Sequence, residues 1–352
     1  MLFDFCEMKM EQFKAKVLVT GGNGFVGSYC ILQLLANGYE VKTTLRSLNN
    51  RDQVLTQLKT ACAVNLNHLT FIEANLTSDD NWEEAVSGCT YVLHVASPFP
   101  AGTPKDEDEL IVPARDGALR VLRASIKCGV KRVVLTSSFA AIGYSIDPKN
   151  HIFTEEDWTD ATQNLPVYIK SKTIAERAAW DLVESEGKGL ELSVINPVGI
   201  FGPVMGPYFS SSIGIIQQLV SGKIPGTPKI SFGVVDVRDV ADIHVRAMTH
   251  PKAAGQRFLA TSDGAITFPE IAQLLHNQKN KLYEKVPLKV LPNWLVRFVS
   301  IFKPELKQTI PQLGVVKQFS NAKAKNVLGW QPREKTVTII DTAESLIKFN
   351  LV

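Results

Sequence analysis

The stretch VLVTGGNGFVGSYCILQLL, residues 17–35, constrains this chain more than any other. A short β-branched run leads into Gly21, Gly24 and Gly27, spaced G-x-x-G-x-x-G, and an apolar helical segment follows at once. Glycine permits a tight turn here and lets backbone N–H groups approach a ligand closely. Phe25 and Val26, inside the motif, open the helix, whose N-terminus attracts an anion. Strand, glycine loop and apolar helix in this order predict a pyrophosphate cradle and hence a dinucleotide site. An ordinary strand-to-helix turn is the plainer alternative.

The surrounding chain favours the first reading. KVLVT (16–20), EVKTTL (40–45), LTFIE (69–73), YVLHVA (91–96), RVVLTS (132–137) and LSVIN (192–196) are short, mostly β-branched runs separated by helix-like segments. Runs of this kind are buried on both faces of a parallel sheet, and the alternation predicts a doubly wound α/β (Rossmann) domain. After about residue 200 prolines punctuate a looser pattern, read as a smaller C-terminal substrate-binding region. VVDVRDVADIHVRAM predicts a strand and then a helix capped near Asp239. The expected division is an extension over 1–13 and a cofactor-binding domain over 14–200, with 232–260 returning to it. The substrate-binding region then covers 201–231 and 261–352.

Composition narrows the function. The chain has 352 residues, 45% of them hydrophobic, and a net charge of +3 without a dense basic run, which argues against nucleic-acid binding. Five scattered cysteines without a Cys-x-x-Cys pair read as reduced thiols of a cytoplasmic protein, not as a zinc site. No metal site is expected. The first residues make a poor signal peptide, and Met8 or Met10 is an alternative start. The most apolar late stretch, VLPNWLVRFVSIF (290–302), is too short to span a membrane and reads as a buried or pocket-lining helix.

Three further features carry chemistry. The second strand ends at Arg46 with no acid from Val41 to Arg51, where an NAD site would place one. A guanidinium there suits the 2′-phosphate of NADP, and Arg51 stands behind it; a solvated loop arginine is the alternative. Ser137 and Ser138 close the fifth strand, where a hydroxyl can hydrogen-bond a substrate carbonyl. In PVYIKSKTIAERAAW (166–180), Tyr168 and Lys172 are four apart and share a helix face, whereas Lys170 points elsewhere. An ammonium beside a phenol lowers its pKa and prepares it to protonate an alkoxide.

From Lys16 to about Gly255 the chain resembles an extended short-chain dehydrogenase/reductase of the dihydroflavonol 4-reductase-like branch. The resemblance rests on VTGGNGFVGS, HVASPFP, VPARDGALRVLRA, VLTSSFAA, YIKSKTIAERAAW, INPVGIFGP and VDVRDVADIHV, in this order. It implies an NADPH-dependent aldehyde or ketone reductase. Ser138 would orient the carbonyl, Tyr168 would be the acid, and Lys172 would lower its pKa and bind the nicotinamide ribose. Val95 and Ala96 would line the cofactor, and Pro197 and Val198 would meet its nicotinamide end. Two positions depart from the relatives' pattern. Ala74-Asn75-Leu76 stands where they often carry Ala-Asp-Leu beside the adenine, and Asn196 where many have Arg or Thr.

Phe99, Phe139 and Tyr208 lie in the loops expected to contact substrate. A hydroxysteroid dehydrogenase or a sugar-nucleotide epimerase or dehydratase shares this trio. An NADP-binding redox-sensing regulator would not need it. With no cluster of basic residues in the pocket loops, neutral small-molecule carbonyls are expected, not phosphorylated or nucleotide-linked sugars. The sequence does not choose between monomer and homodimer.

Overall fold

A computed structural model describes residues 14–98, 106–207, 209–278, 280–302 and 309–352. Its first strands and helices alternate: β1 (Lys16–Val19), α1 (Phe25–Ala36), β2 (Glu40–Leu45), α2 (Arg51–Thr60), β3 (Leu69–Glu73), α3 (Trp82–Val86), β4 (Tyr91–His94), α4 (Asp108–Lys127) and β5 (Arg132–Thr136). A two-residue strand β6 (Ile152–Phe153), α5 (Val167–Glu186), β7 (Glu191–Pro197) and β8 (Gly199–Phe201) follow. After them come α6 (Ser211–Val220), β9 (Thr227–Pro228), β10 (Ser231–Asp236), α7 (Val237–Thr249) and β11 (Gln256–Ala260). The last elements are β12 (Ala265–Thr267), α8 (Phe268–His276), β13 (Val290–Leu291), α9 (Asn293–Phe302), β14 (Gln318–Phe319), α10 (Ala322–Leu328) and α11 (Lys335–Lys348).

Seven strands form one parallel sheet in the order β11-β7-β5-β4-β1-β2-β3. Side chains alternate across it. Val17 and Val19 face one apolar cluster with α1, α2 and α7, while Leu18 faces another with α3, α4 and α5. Both faces are therefore covered, which is why the strands read as continuous apolar runs. Strand order reverses between β1 and β4, and the crevice at their carboxyl ends is where such sheets take ligands.

The later chain builds smaller units. The strand β10 joins β8 and β12 in a three-stranded sheet instead of the main one, whereas α7 and β11 pack with the large sheet. Phe201, Ile213, Ile216, Leu219, Ile271 and Ile339 lie in a separate apolar cluster. The pairing of β14 with β6 ties the C-terminal region to the loop between β5 and α5.

Two local expectations change. The cap of α7 is Asp236, whose side chain accepts from the Arg238 N–H, while Asp239 sits in the first turn and pairs with Arg333. Nor is α9 buried. Trp294, Phe298, Ile301 and Phe302 are exposed, because the helix packs mainly through Val296 against Ile230 and Leu313.

Candidate active site

The glycine loop is shaped by contacts that a side chain would break. A Cβ at Gly27 would lie 2.4 Å from the Gly21 carbonyl oxygen, and one at Gly22 would lie 2.2 Å from Thr43 Oγ1. Gly21 has φ +72° and packs on Ala96. Gly24 differs: its φ is −80°, and a Cβ would meet only the Gly21 carbonyl oxygen, at 3.2 Å. It is the N-cap of α1, which has no side-chain cap and no acid in its first turn. The N–H groups of the Phe25–Val26–Gly27 turn are thus left for an anion, and the loop fits a pyrophosphate.

Beside this loop, Thr20 organises the β4 end. Its Oγ1 accepts from the N–H groups of Val95 (3.0 Å) and Ala96 (2.9 Å) and lies 2.9 Å from His94 Nδ1. With two N–H donors on the oxygen, the hydroxyl proton goes to Nδ1, which places the imidazole proton on Nε2. Burial holds His94 down at about 3, so it stays neutral. The apolar-strand histidine is therefore a structural partner of Thr20.

Ser138 follows β5, and Tyr168 and Lys172 lie in the first two turns of α5, so the three expected residues converge at the carboxyl edge of the sheet. The Ser138 and Tyr168 hydroxyls hydrogen-bond to each other. Lys172 Nζ donates to Ser97 Oγ (2.7 Å) and stands 5.8 Å from the centre of the Tyr168 ring. Lys170 points away and pairs with Glu107 at 3.0 Å. The helix register is as expected.

The electrostatics are not quite as expected. Burial pushes the Tyr168 phenol up from its ordinary value, and the hydrogen bond to Ser138 works against that rise. The net direction is upward, opposite to the expected lowering by Lys172. The physical reason is desolvation, which also brings the Lys172 ammonium down to about 8 against the pull of Glu176.

Glu176 is the residue that sequence reasoning missed. Its fully buried carboxylate accepts from Arg257 Nε (2.6 Å), Asn196 Nδ2 (2.7 Å) and the Ser137 hydroxyl. Asn196 Nδ2 also reaches the Ser138 carbonyl oxygen at 3.3 Å, and Arg257 stacks on Trp158, 3.6 Å from its ring centre. One carboxylate thereby joins α5 to the ends of β5 and β7 and to β11. A signal was present: Glu176 stands four residues after Lys172, on the Tyr168 face.

The remaining expected residues fall around this centre. Pro197 closes β7, and Val198 donates its N–H to the Ala260 carbonyl oxygen (3.1 Å) while packing on Gly233. Arg46 is exposed at the β2 end, and Arg51 lies over the Phe71 ring at 5.6 Å. Glu73 of β3 is opposite Leu45 and accepts from the Leu48 N–H (3.0 Å). Asn75 Oδ1 accepts from the Thr77 N–H (3.2 Å), and Leu76 packs on Gly117. Phe139 is buried among Phe153, Phe319 and Tyr144, with ring centres 5.0–5.7 Å away. Phe99 and Tyr208 lie outside the described residues. Among the described residues no group of His, Cys, Asp and Glu is arranged to hold a metal ion.

Comparison with known proteins places this geometry. The family model described as "NAD dependent epimerase/dehydratase family" matches residues 17–259. A cinnamoyl-CoA reductase of Medicago truncatula is 34% identical over 94% of this chain and 95% of its own length. An NADPH-dependent methylglyoxal reductase of Saccharomyces cerevisiae is 30% identical over 95% of this chain and 98% of its own. The crystal structure of the yeast methylglyoxal/isovaleraldehyde reductase complexed with NADPH superposes with a TM-score of 0.79. It is 27% identical and covers 95% of this chain and 99% of that one. A dihydroflavonol 4-reductase of Gerbera hybrida is 30% identical over 79% of this chain and 76% of its own length. With the glycine loop, the sheet order and these relatives in agreement, the chain belongs to the NAD-dependent epimerase/dehydratase family, the extended short-chain dehydrogenases/reductases, in its dihydroflavonol 4-reductase-like branch.

Proposed function

We propose that this chain is an NADPH-dependent carbonyl reductase acting on small aldehydes or ketones, with Tyr168 as the general acid. The observation that carries the reading is the meeting of Ser138, Tyr168 and Lys172 beside a glycine loop fitted to a pyrophosphate. Bound NADPH supplies the hydride. Ser138 hydrogen-bonds the carbonyl oxygen and sets its angle. Tyr168, neutral because burial holds its proton, gives that proton to the oxygen as it becomes an alkoxide. Lys172, which donates to Ser97, would hold the nicotinamide ribose when the cofactor is bound, and its ammonium offsets the negative charge left on the phenol.

Arg46 is assigned to the 2′-phosphate, and Asn75, Leu76, Val95, Ala96, Pro197 and Val198 to the walls of the dinucleotide site. Phe99 and Tyr208, with the backbone around Phe139, are assigned to the substrate side. The cofactor-binding part is taken as 14–200 with α7 and β11, and the rest as the substrate part. No helix among the described residues is long and apolar enough to cross a membrane. Free thiols at Cys30, Cys62, Cys89 and Cys128 support a reducing compartment, the cytoplasm.

The test is a panel of aldehydes, ketones, dihydroflavonols, steroids and UDP-sugars, read by NADPH oxidation. Simple aldehydes or ketones are expected to be reduced, and Tyr168→Phe to abolish the signal. UDP-sugars are also followed by product analysis, because epimerisation consumes no net NADPH, and their conversion alone would replace this reading with the epimerase one.

A further inference from the structure

Lys317 stands directly before β14, where the β14–β6 pairing holds the C-terminal region against the loop that follows β5. Its Nζ lies 3.7 Å from the centre of the Tyr144 ring, 5.2 Å from Phe139 and 6.0 Å from Phe153. Phe139 is the residue after Ser138. Tyr144 is near enough to Tyr168 that the two phenols interact electrostatically. The ammonium therefore packs on the ring next to Ser138 in the chain and on the ring whose phenol interacts with Tyr168.

Neighbouring lysines are paired. Lys325 binds Asp263 at 2.8 Å, Lys335 donates to the Asp263 carbonyl oxygen at 2.8 Å, and Lys323 lies 3.9 Å from Glu156. For Lys317, the described residues offer only ring faces, with no carboxylate or carbonyl oxygen at bonding distance. Burial pushes its ammonium down to about 8. Aromatic faces attract a cation, yet they replace only part of the water it gives up. The half-buried ammonium is therefore open to an anionic group.

We propose that Lys317 is a specificity residue of the substrate site and that the preferred substrates are oxo acids, carbonyl compounds carrying a carboxylate. This deepens the reductase reading and rests on it, and it replaces the neutral carbonyl expected from the sequence with an anionic one. A single ammonium among rings suits a monoanion. A phosphate dianion needs a second cation or a cluster of N–H donors, and the described surroundings of Nζ supply neither. The carbonyl would lie at Ser138 and Tyr168, and the carboxylate would extend towards Lys317. The chemistry stays that of hydride reduction, with the carboxylate unchanged.

The experiment compares oxo acids from 2-oxobutanoate to 5-oxopentanoate with their methyl esters, which lose the charge and gain a methyl group; the ratio between wild type and variant cancels their different intrinsic reactivity. For the acid whose length fits, kcat/KM relative to its ester should be about 10- to 100-fold higher in wild type than in Lys317→Met, mainly through KM. Lys317→Arg should keep most of that preference. Lys317→Gln serves if the Met variant fails to fold. The proposal is overturned if no acid in the series gains over its ester in wild type relative to the variants. Butanal reduction by the wild-type protein reports separately on the reductase reading. If butanal and every member of the series are left untouched, it is that reading that fails.

Discussion

Lys172 and Lys317 are both held down at about 8 by burial, yet their surroundings differ. Behind Lys172 the chain supplies the buried Glu176 carboxylate, which Arg257, Asn196 and Ser137 satisfy in turn. Around Lys317 it supplies the rings of Tyr144, Phe139 and Phe153. On the cofactor side the protein completes its own charge pattern before any ligand arrives. On the substrate side one charge is left for the ligand to complete. A site that must bind one invariant molecule gains from fixed internal pairing. A site that selects among molecules gains from a charge that only some of them match.

The strongest way to break this comparison is to remove the acid. Tyr168→Phe should lower kcat by about 100- to 10,000-fold, the usual worth of a positioned general acid, with little change in melting temperature. Lys172→Ala should be of similar severity and should also raise the KM for NADPH. If single-turnover hydride transfer survives in Tyr168→Phe, the proton comes from elsewhere and the central assignment falls.

Glu176→Leu tests the paired side through stability. It leaves Arg257 buried without its carboxylate, and breaking a buried pair costs about 3–5 kcal/mol. Denaturant unfolding reads the loss directly. A variant as stable as wild type would show that Arg257 is satisfied by the Glu155 and Asp157 carbonyl oxygens alone.

The same contrast marks what the sequence makes legible. The strands from β1 to β5, the glycine loop and the shared face of Tyr168 and Lys172 follow from local pattern, since each is set by residues close in the chain. The sequence points to a cap near Asp239, whereas α7 is capped by Asp236, because the cap lies where β10 stops, which its pairing with β8 decides. Glu176 looks like any helix-forming glutamate until β7 and β11 bring Asn196 and Arg257 to it. Lys317 sits in a mixed run without periodicity, GVVKQFSNAKAK, and its importance depends on β14 pairing with the distant β6. Long-range pairing of two-residue strands leaves no period to read.

A smaller effect concerns cofactor choice. Arg46 is exposed at the β2 end, and the neighbouring Glu73 is engaged with the Leu48 N–H. A charge-assisted contact to the 2′-phosphate is worth about 1.5–3 kcal/mol, so NADPH should be favoured over NADH by roughly 10- to 100-fold in kcat/KM. Arg46→Ala should remove most of that preference through the KM for NADPH. Equal use of both cofactors by the wild-type protein would sink the assignment.

The pH profile sharpens the Lys172 side. A lysine lowered to about 8 holds its proton less tightly in the folded chain than in the unfolded one. Its contribution to stability therefore rises as pH climbs from about 8 towards the ordinary lysine range. Cofactor binding runs the other way, because it needs the ammonium. The KM for NADPH should grow above about pH 8, by up to about tenfold per unit. Of the groups facing Lys172, His94 stays neutral near 3 and Tyr168 is raised, so neither titrates in this window as the cofactor is lost. Lys172→Arg should flatten the profile, and an unchanged inflection would assign it to another group.

The smallest effect tests the helix register by its near absence. Lys170 is two residues from Tyr168 and four from the start of the first turn's carbonyl at Pro166, to which its own N–H is bonded at 3.2 Å. Its side chain leaves α5 on the face towards Glu107, 3.0 Å from that half-exposed carboxylate. Ion pairs of this kind contribute about 0–1 kcal/mol, since water screens them and two long side chains must be held still. Lys170→Ala should therefore keep kcat and the KM for NADPH within about twofold of wild type, with a slight loss of stability that salt also produces. Lys172, two residues on, should lose both parameters on the same substitution. A dead Lys170→Ala beside an active Lys172→Ala would mean that α5 presents the other lysine to the tyrosine.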